Sequence, residues 1–107
     1  MPLLQTREHI KFSEHGPVPR PLHIGPGLAV MLLCLQNGQE LVAPENDHTE
    51  TIFTVLQGSG GIREGAVIHA VQVGDVVHIE PGSQKTLIAG DGEFVVLGTR
   101  RLKDKRT

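Results

Sequence analysis

At 107 residues, with 38 % hydrophobic and 21 % charged side chains, the chain has the size and composition of one compact domain, not of a disordered segment. A formal net charge of −2 offers no field for a polyanion, and the absence of Trp and Tyr beside only 3 Phe removes stacking platforms for bases or sugars. The core must therefore be aliphatic, and 13 Gly with 7 Pro favour many short strands joined by turns.

The segment 1–27 has no regular pattern and is expected to form an irregular N-terminal arm lying across the domain or reaching a neighbouring subunit. Ile10-Lys-Phe12 is a candidate short edge strand, and Gly16-Pro-Val-Pro-Arg-Pro21 excludes helix and central strand because prolines lack a ladder donor. From Leu28 the pattern changes abruptly. Leu28–Leu35 reads as a buried strand, too short for a membrane span, and Asn37-Gly38 is a strong hairpin signal. Glu40-Leu-Val42 opens the next strand, which Pro44 stops. Thr51–Gln57 is a strand of high β propensity, followed by an expected glycine turn at Gly58-Ser-Gly-Gly61 and a hairpin turn at Glu64-Gly65. Further strands are predicted over 66–73, 76–80, 85–89 and 93–97, with turns at Gly74-Asp75, Pro81-Gly-Ser83 and Gly90-Asp-Gly92.

Turn signals thus recur about every eight to twelve residues, which describes an all-β sandwich or barrel. The expected organisation is an arm over 1–27, a barrel over 28–99 and a basic, solvated tail over 100–107. Cys34 stands alone, so no intrachain disulfide can form and a reducing compartment fits best. Met1-Pro-Leu-Leu4 lacks the basic-then-apolar pattern of a secretory signal, so a cytoplasmic location is expected, with neither membrane nor nucleic acid as partner.

The order of these pieces resembles the small single-domain cupins over roughly residues 28–98. The matching stretches are Gly38-Gln39 and Thr51-Ile-Phe-Thr-Val-Leu-Gln-Gly58 for the first motif, and Gly74-Asp-Val-Val-His-Ile-Glu-Pro-Gly82 for the second. The resemblance implies an all-β double-stranded β-helix, or jelly-roll barrel, commonly dimeric, with a pocket between two sheets. It also implies a metal held by two histidines and a glutamate from the first motif and a histidine from the second. This chain departs from that pattern. Thr51 holds the glutamate position and Lys85 the second-motif histidine position. The paired histidines fall near Glu45 and Asp47, or near Asn46 and His48 in the other register. At most one of the usual ligands survives, so no metal is favoured, and His48 is the remaining candidate for a divalent ion.

A lysine ammonium has no lone pair for a metal and repels a cation. If Lys85 points inward, so do Leu87 and Ala89, which suit a barrel interior. A lysine facing an aliphatic pocket needs a counter-charge or must shed its proton, unless it snorkels out of the mouth. Glu45, Asp47 and Glu50 are the carboxylates within reach. Phe53 and Leu87 complete the expected pocket beside Thr51 and His48. His78 should face outward, because Val77 and Ile79 face the core, whereas His69 shares a face with Val71 and is a candidate inward residue. Ile52, Leu56 and Val76 are expected on an outer apolar face that a homodimer would bury.

Three functions compete. The first is a metal-independent binding protein whose aliphatic pocket, with a charged floor from Lys85 and a carboxylate, holds a small polar or anionic molecule. The second is a metal-dependent enzyme of dioxygenase or isomerase type, using His48 and nearby carboxylates. The third is an enzyme with Lys85 as acid, base or nucleophile. The missing histidines weigh against the second, and the lack of a catalytic partner beside Lys85 weighs against the third. The first reading is preferred.

Overall fold

The computed structural model describes residues 3–43 and 49–102. After a short 3-10 turn at Thr6–Glu8 come strands β1 (Val18–Ile24), β2 (Leu28–Gln36), β3 (Glu40–Val42), β4 (Thr51–Glu64), β5 (Val67–Gln72), β6 (Val76–Ile79) and β7 (Lys85–Arg101). All their pairings are antiparallel. The long strands β4 and β7 lie side by side at the centre. β2 and β3 share the far edge of β7, β5 and β6 share the far edge of β4, and β1 borders β2. This is the expected double-stranded β-helix. Among the described residues, no helix is long and apolar enough to cross a membrane.

The apolar run of β2 is continuous because both of its faces are buried. Leu33 and Leu35 point into the barrel and join Phe53, Val55, Ile62, Ile79, Leu87, Phe94 and Val96 in the main core. Leu32 and Cys34 point the other way and form a second cluster with Val95. That outer cluster is covered by the chain's own arm, since Ile10, Phe12, Val18 and Leu22 pack on it. Within the arm Arg20 Nε donates to the His9 carbonyl (3.1 Å), and Gln39 Nε2 fastens the arm to the barrel by donating to the Ser13 carbonyl (2.7 Å).

Several local expectations need correction. The arm is not irregular throughout, because Val18–Ile24 pairs with β2 as an edge strand. Its prolines are tolerated there since an edge strand leaves one row of donors unused. Ile10–Phe12 forms no strand and acts through packing instead. Arg100 and Arg101, assigned to a solvated tail, are the last residues of β7.

The largest correction concerns glycine. Neither Gly58–Gly61 nor Gly90–Gly92 is a turn; each lies inside a continuous strand. In β7 the core residues fall at odd positions up to Leu87 and Ala89 and at even positions from Phe94 and Val96 onward. β4 changes parity in the same way, from Phe53 and Val55 to Ile62. The pairing of the two strands slips between Val55 and Gln57 and again between Gly58 and Gly60. A bulge restores core burial after a slip that would otherwise turn every later side chain outward. The turn at Asn37-Gly38 is present, with positive φ at both residues (50° and 76°) and the Gln39 N–H donating to the Gln36 carbonyl (3.1 Å), but it closes no hairpin, because β2 and β3 each pair with β7 and not with each other.

Gly58 sits where the two backbones come closest. A Cβ there would lie 1.7 Å from the Glu93 carbonyl oxygen, at a φ of +76°. Gly65 has φ +58° but open space around it. Gly65→Ala should therefore cost only about 1 kcal/mol, the left-handed penalty. Gly58→Ala should cost about 3 kcal/mol or more, because the clash adds to that penalty. Chemical denaturation of both variants checks the difference, and equal losses would contradict the close crossing.

Candidate functional site

The interior beyond the main core is not filled. A cavity of about 210 Å³ opens at the end of the barrel where β4 begins and β7 ends, lined by β2, β3, β4 and β7. Its walls are largely apolar: Met31 and Leu33 from β2, Leu41 and Val42 from β3, Phe53 from β4 and Leu87 from β7. Gly98 belongs to the wall for a steric reason. A Cβ at that position would come within 3.2 Å of the Phe53 ring.

Among the described residues, three polar side chains break the apolar lining, namely Thr51, Lys85 and Arg100. Each is placed by strand alternation. Thr51 stands opposite Ile79 and Arg100 in register, and Ile79 is fully buried, so Thr51 faces inward and is itself 3 % exposed. Lys85 begins the inward series that continues with Leu87 and Ala89, and is only 4 % exposed. Arg100 ends the series Phe94, Val96, Gly98 and is half-buried. The Thr49 carbonyl accepts hydrogen bonds from Lys85 Nζ (3.5 Å) and from Thr51 Oγ1 (3.4 Å). Among the described residues, the cavity wall therefore carries two cationic groups and one hydroxyl near its polar end, and hydrocarbon elsewhere.

Of the residues expected in the pocket, Thr51, Phe53, Lys85 and Leu87 line it. Glu45, Asp47 and His48 lie outside the described residues. Glu50 is corrected: it follows the opposite parity to Thr51 and is engaged on the outside of the barrel. Its carboxylate takes a hydrogen bond from His78 Nε2 (2.6 Å) and faces Arg101 Nη2 at 3.6 Å. His78 faces outward as its alternation requires. His69 shares the face of Val71 and stands opposite Ile62 in register, but at the rim, where it is 40 % exposed and lies 3.7 Å from Glu64. Cys34 is buried, and that burial pushes its thiol pKa up, as expected of an inert packing residue. Ile52 and Val76 are exposed on the outer face, whereas Leu56 packs into the second cluster.

Arg100 is the site residue that the sequence reading missed. Its signal was present: counting in twos from Phe94 through Val96 and Gly98 reaches Arg100 on the inner face. The basic character of the following residues drew it into a tail instead.

The described wall does not fit the metal that the resemblance implies. Among the described residues, no three His, Cys, Asp or Glu side chains come together as a metal site. The groups that do face the cavity include two cations, which repel a metal ion and have no lone pair to offer it.

Known structures agree on the fold. TT1209 from Thermus thermophilus superposes with a TM-score of 0.87 at 13 % identity, covering 94 % of this chain and 97 % of that one. A conserved protein with a double-stranded β-helix domain from Klebsiella pneumoniae gives a TM-score of 0.84 at 18 % identity, over 92 % of this chain and 88 % of the other. An RmlC-like cupin from Desulfovibrio desulfuricans gives 0.77 at 23 % identity, over 88 % and 90 %. No protein-family model matches the chain, and no curated protein matches it. At these identities the likeness is one of fold: the chain has the small cupin barrel, and its chemistry must be read from its own side chains.

The outer contacts of Glu50 have a measurable consequence. The hydrogen bond from His78, followed by the attraction of Arg101, holds the Glu50 carboxyl below its ordinary value. A depressed carboxyl stabilises the fold above its unfolded pKa of about 4.3, and that contribution is lost as pH falls through the lower folded value. His78→Ala removes the main cause, so the Glu50 midpoint in an NMR titration should move up toward the ordinary glutamate value. An unchanged midpoint would contradict the pairing.

Proposed function

We propose that the barrel cavity binds a small organic anion, without a metal, by setting its charged end against Lys85 and Arg100. The observation that carries this reading is a lysine only 4 % exposed that lines, together with an arginine and a threonine, a cavity whose described wall is largely apolar. A carboxylate matches that set. The guanidinium offers a planar fork of donors, the ammonium a compact charge and the hydroxyl a further donor. The aliphatic part of such a molecule would contact Met31, Leu33, Leu41, Phe53 and Leu87.

Size narrows the class. The volume of about 210 Å³ lies below the roughly 300–1,000 Å³ of pockets for drug-sized ligands. The occupant is therefore a molecule of a few carbon atoms, such as a short-chain or branched carboxylic acid. Binding supplies affinity by desolvating the hydrocarbon part and specificity by the charged end, since a neutral analogue gains no attraction from the two cations. No bond-making step is assigned, because beside Lys85 the described wall offers only a guanidinium, a hydroxyl and hydrocarbon.

Thermal denaturation against a panel of short carboxylates tests the reading. At about ten times the Kd, a bound acid should stabilise the protein by about 1.4 kcal/mol, a rise of roughly 6 °C in Tm. Lys85→Met and Arg100→Met should abolish the rise while leaving folded protein. Stabilisation by a divalent cation, reversed by a chelator, would instead favour the metal-dependent reading.

A further inference from the structure

The tripeptide Thr49-Glu50-Thr51 presents two faces, and only the inner one belongs to the cavity. On the inside, the Thr49 carbonyl is the acceptor for Lys85 Nζ at 3.5 Å and for Thr51 Oγ1 at 3.4 Å. On the outside, the Glu50 carboxylate joins two different strands. His78 from β6 donates to Oε2 at 2.6 Å, and Arg101 from β7 brings Nη2 to 3.6 Å from Oε1. The backbone repeats the tie, because the Arg101 N–H donates to the Glu50 carbonyl at 3.1 Å. Neither His78 nor Arg101 lines the cavity.

We infer that Glu50, His78 and Arg101 form an external clasp that positions the Lys85 ammonium and keeps it shielded from solvent. The link is covalent and short. Holding Glu50 from outside fixes the peptide plane of its neighbour, and with it the Thr49 carbonyl to which Lys85 Nζ is bonded. All three are positioning residues: they act on the cavity through the backbone, not by touching its contents.

The clasp is poorly placed to act as a global brace. The side chains of His78, Glu50 and Arg101 are 48 %, 34 % and 78 % exposed. Exposed pairs of this kind add little to overall stability. What they can govern is local opening, which costs far less than unfolding and varies along a structure. The clasp sits where β4 begins, β6 ends and β7 ends, so its loss frees one end of the barrel and leaves the β4–β7 crossing intact.

Acetylation of lysines by an amine-reactive ester, followed site by site with mass spectrometry and no added ligand, tests the clasp. Exposed Lys11 serves as the reactive reference and buried Cys34, probed with a thiol reagent, as the reference for global opening. In Glu50→Ala and His78→Ala, acetylation of Lys85 relative to Lys11 should rise about tenfold while Cys34 stays protected. His78→Gln keeps a donor near the same place and should return the ratio to within about twofold of the parent protein. An unchanged Lys85 ratio, a joint rise of Lys85 and Cys34, or failure of the glutamine to rescue would each overturn the inference. Because no ligand is present, the outcome is independent of whether the cavity takes a carboxylate.

Discussion

Everything in this barrel depends on β4 and β7 crossing at backbone contact. The contact exists only because two positions have no side chain: a Cβ at Gly58 would meet the Glu93 carbonyl at 1.7 Å, and one at Gly60 the Ile88 carbonyl at 2.3 Å. Two strands this close can each bulge and change parity together, so that both sheets of the barrel draw inward-facing residues from the same pair of strands. The cavity is the result at one end. Thr51 and Phe53 come from the first part of β4, Gly98 and Arg100 from the last part of β7, and Lys85 and Leu87 from the first part of β7. Without the parity change between Ala89 and Phe94, Lys85 and Arg100 could not face the same space.

That dependence explains what the sequence disclosed. The all-β class was legible because alternation and turn spacing are local signals, whereas the jelly-roll barrel and the place of Lys85 in its pocket came with the resemblance, and alternation then tied Leu87 to the same face. The turn at Asn37-Gly38 and the hairpin that joins β4 to β5 at Glu64-Gly65 were legible for the same reason. The glycines at 58–61 and 90–92 were misread because glycine serves turns and bulges alike, and only pairing with a strand distant in sequence decides between them. Arg100 was missed for another reason: counting in twos from Phe94 reaches it, but the basic residues that follow placed it in a solvated tail. The edge strand Val18–Ile24 was hidden by its prolines, whose exclusion holds for central strands and not for edges.

The site shows a division of labour between fold and chemistry. The barrel is shared with proteins at 13–23 % identity, so its geometry survives with almost none of these side chains. What is particular to this chain is the pair of cations, Lys85 and Arg100, on the described wall of a largely aliphatic cavity. On the proposed reading, the cations set the sign of the partner, and the cavity takes an anion. The outer contacts of Glu50 extend that logic, because this carboxylate, next in the chain to the cavity wall at Thr51, is drawn outward by His78 and Arg101.

The central claim is that charge at Lys85 and Arg100 selects the occupant of the cavity. It is tested most directly by an NMR titration that follows the Lys85 side-chain and Leu33, Leu41 and Leu87 methyl resonances with isobutyrate and, in parallel, isobutyramide. The two molecules share shape and differ in charge. Saturable shifts at Lys85 and the three leucines with isobutyrate alone are the predicted result. Equal shifts with both molecules, or leucine shifts without any change at Lys85, would contradict it.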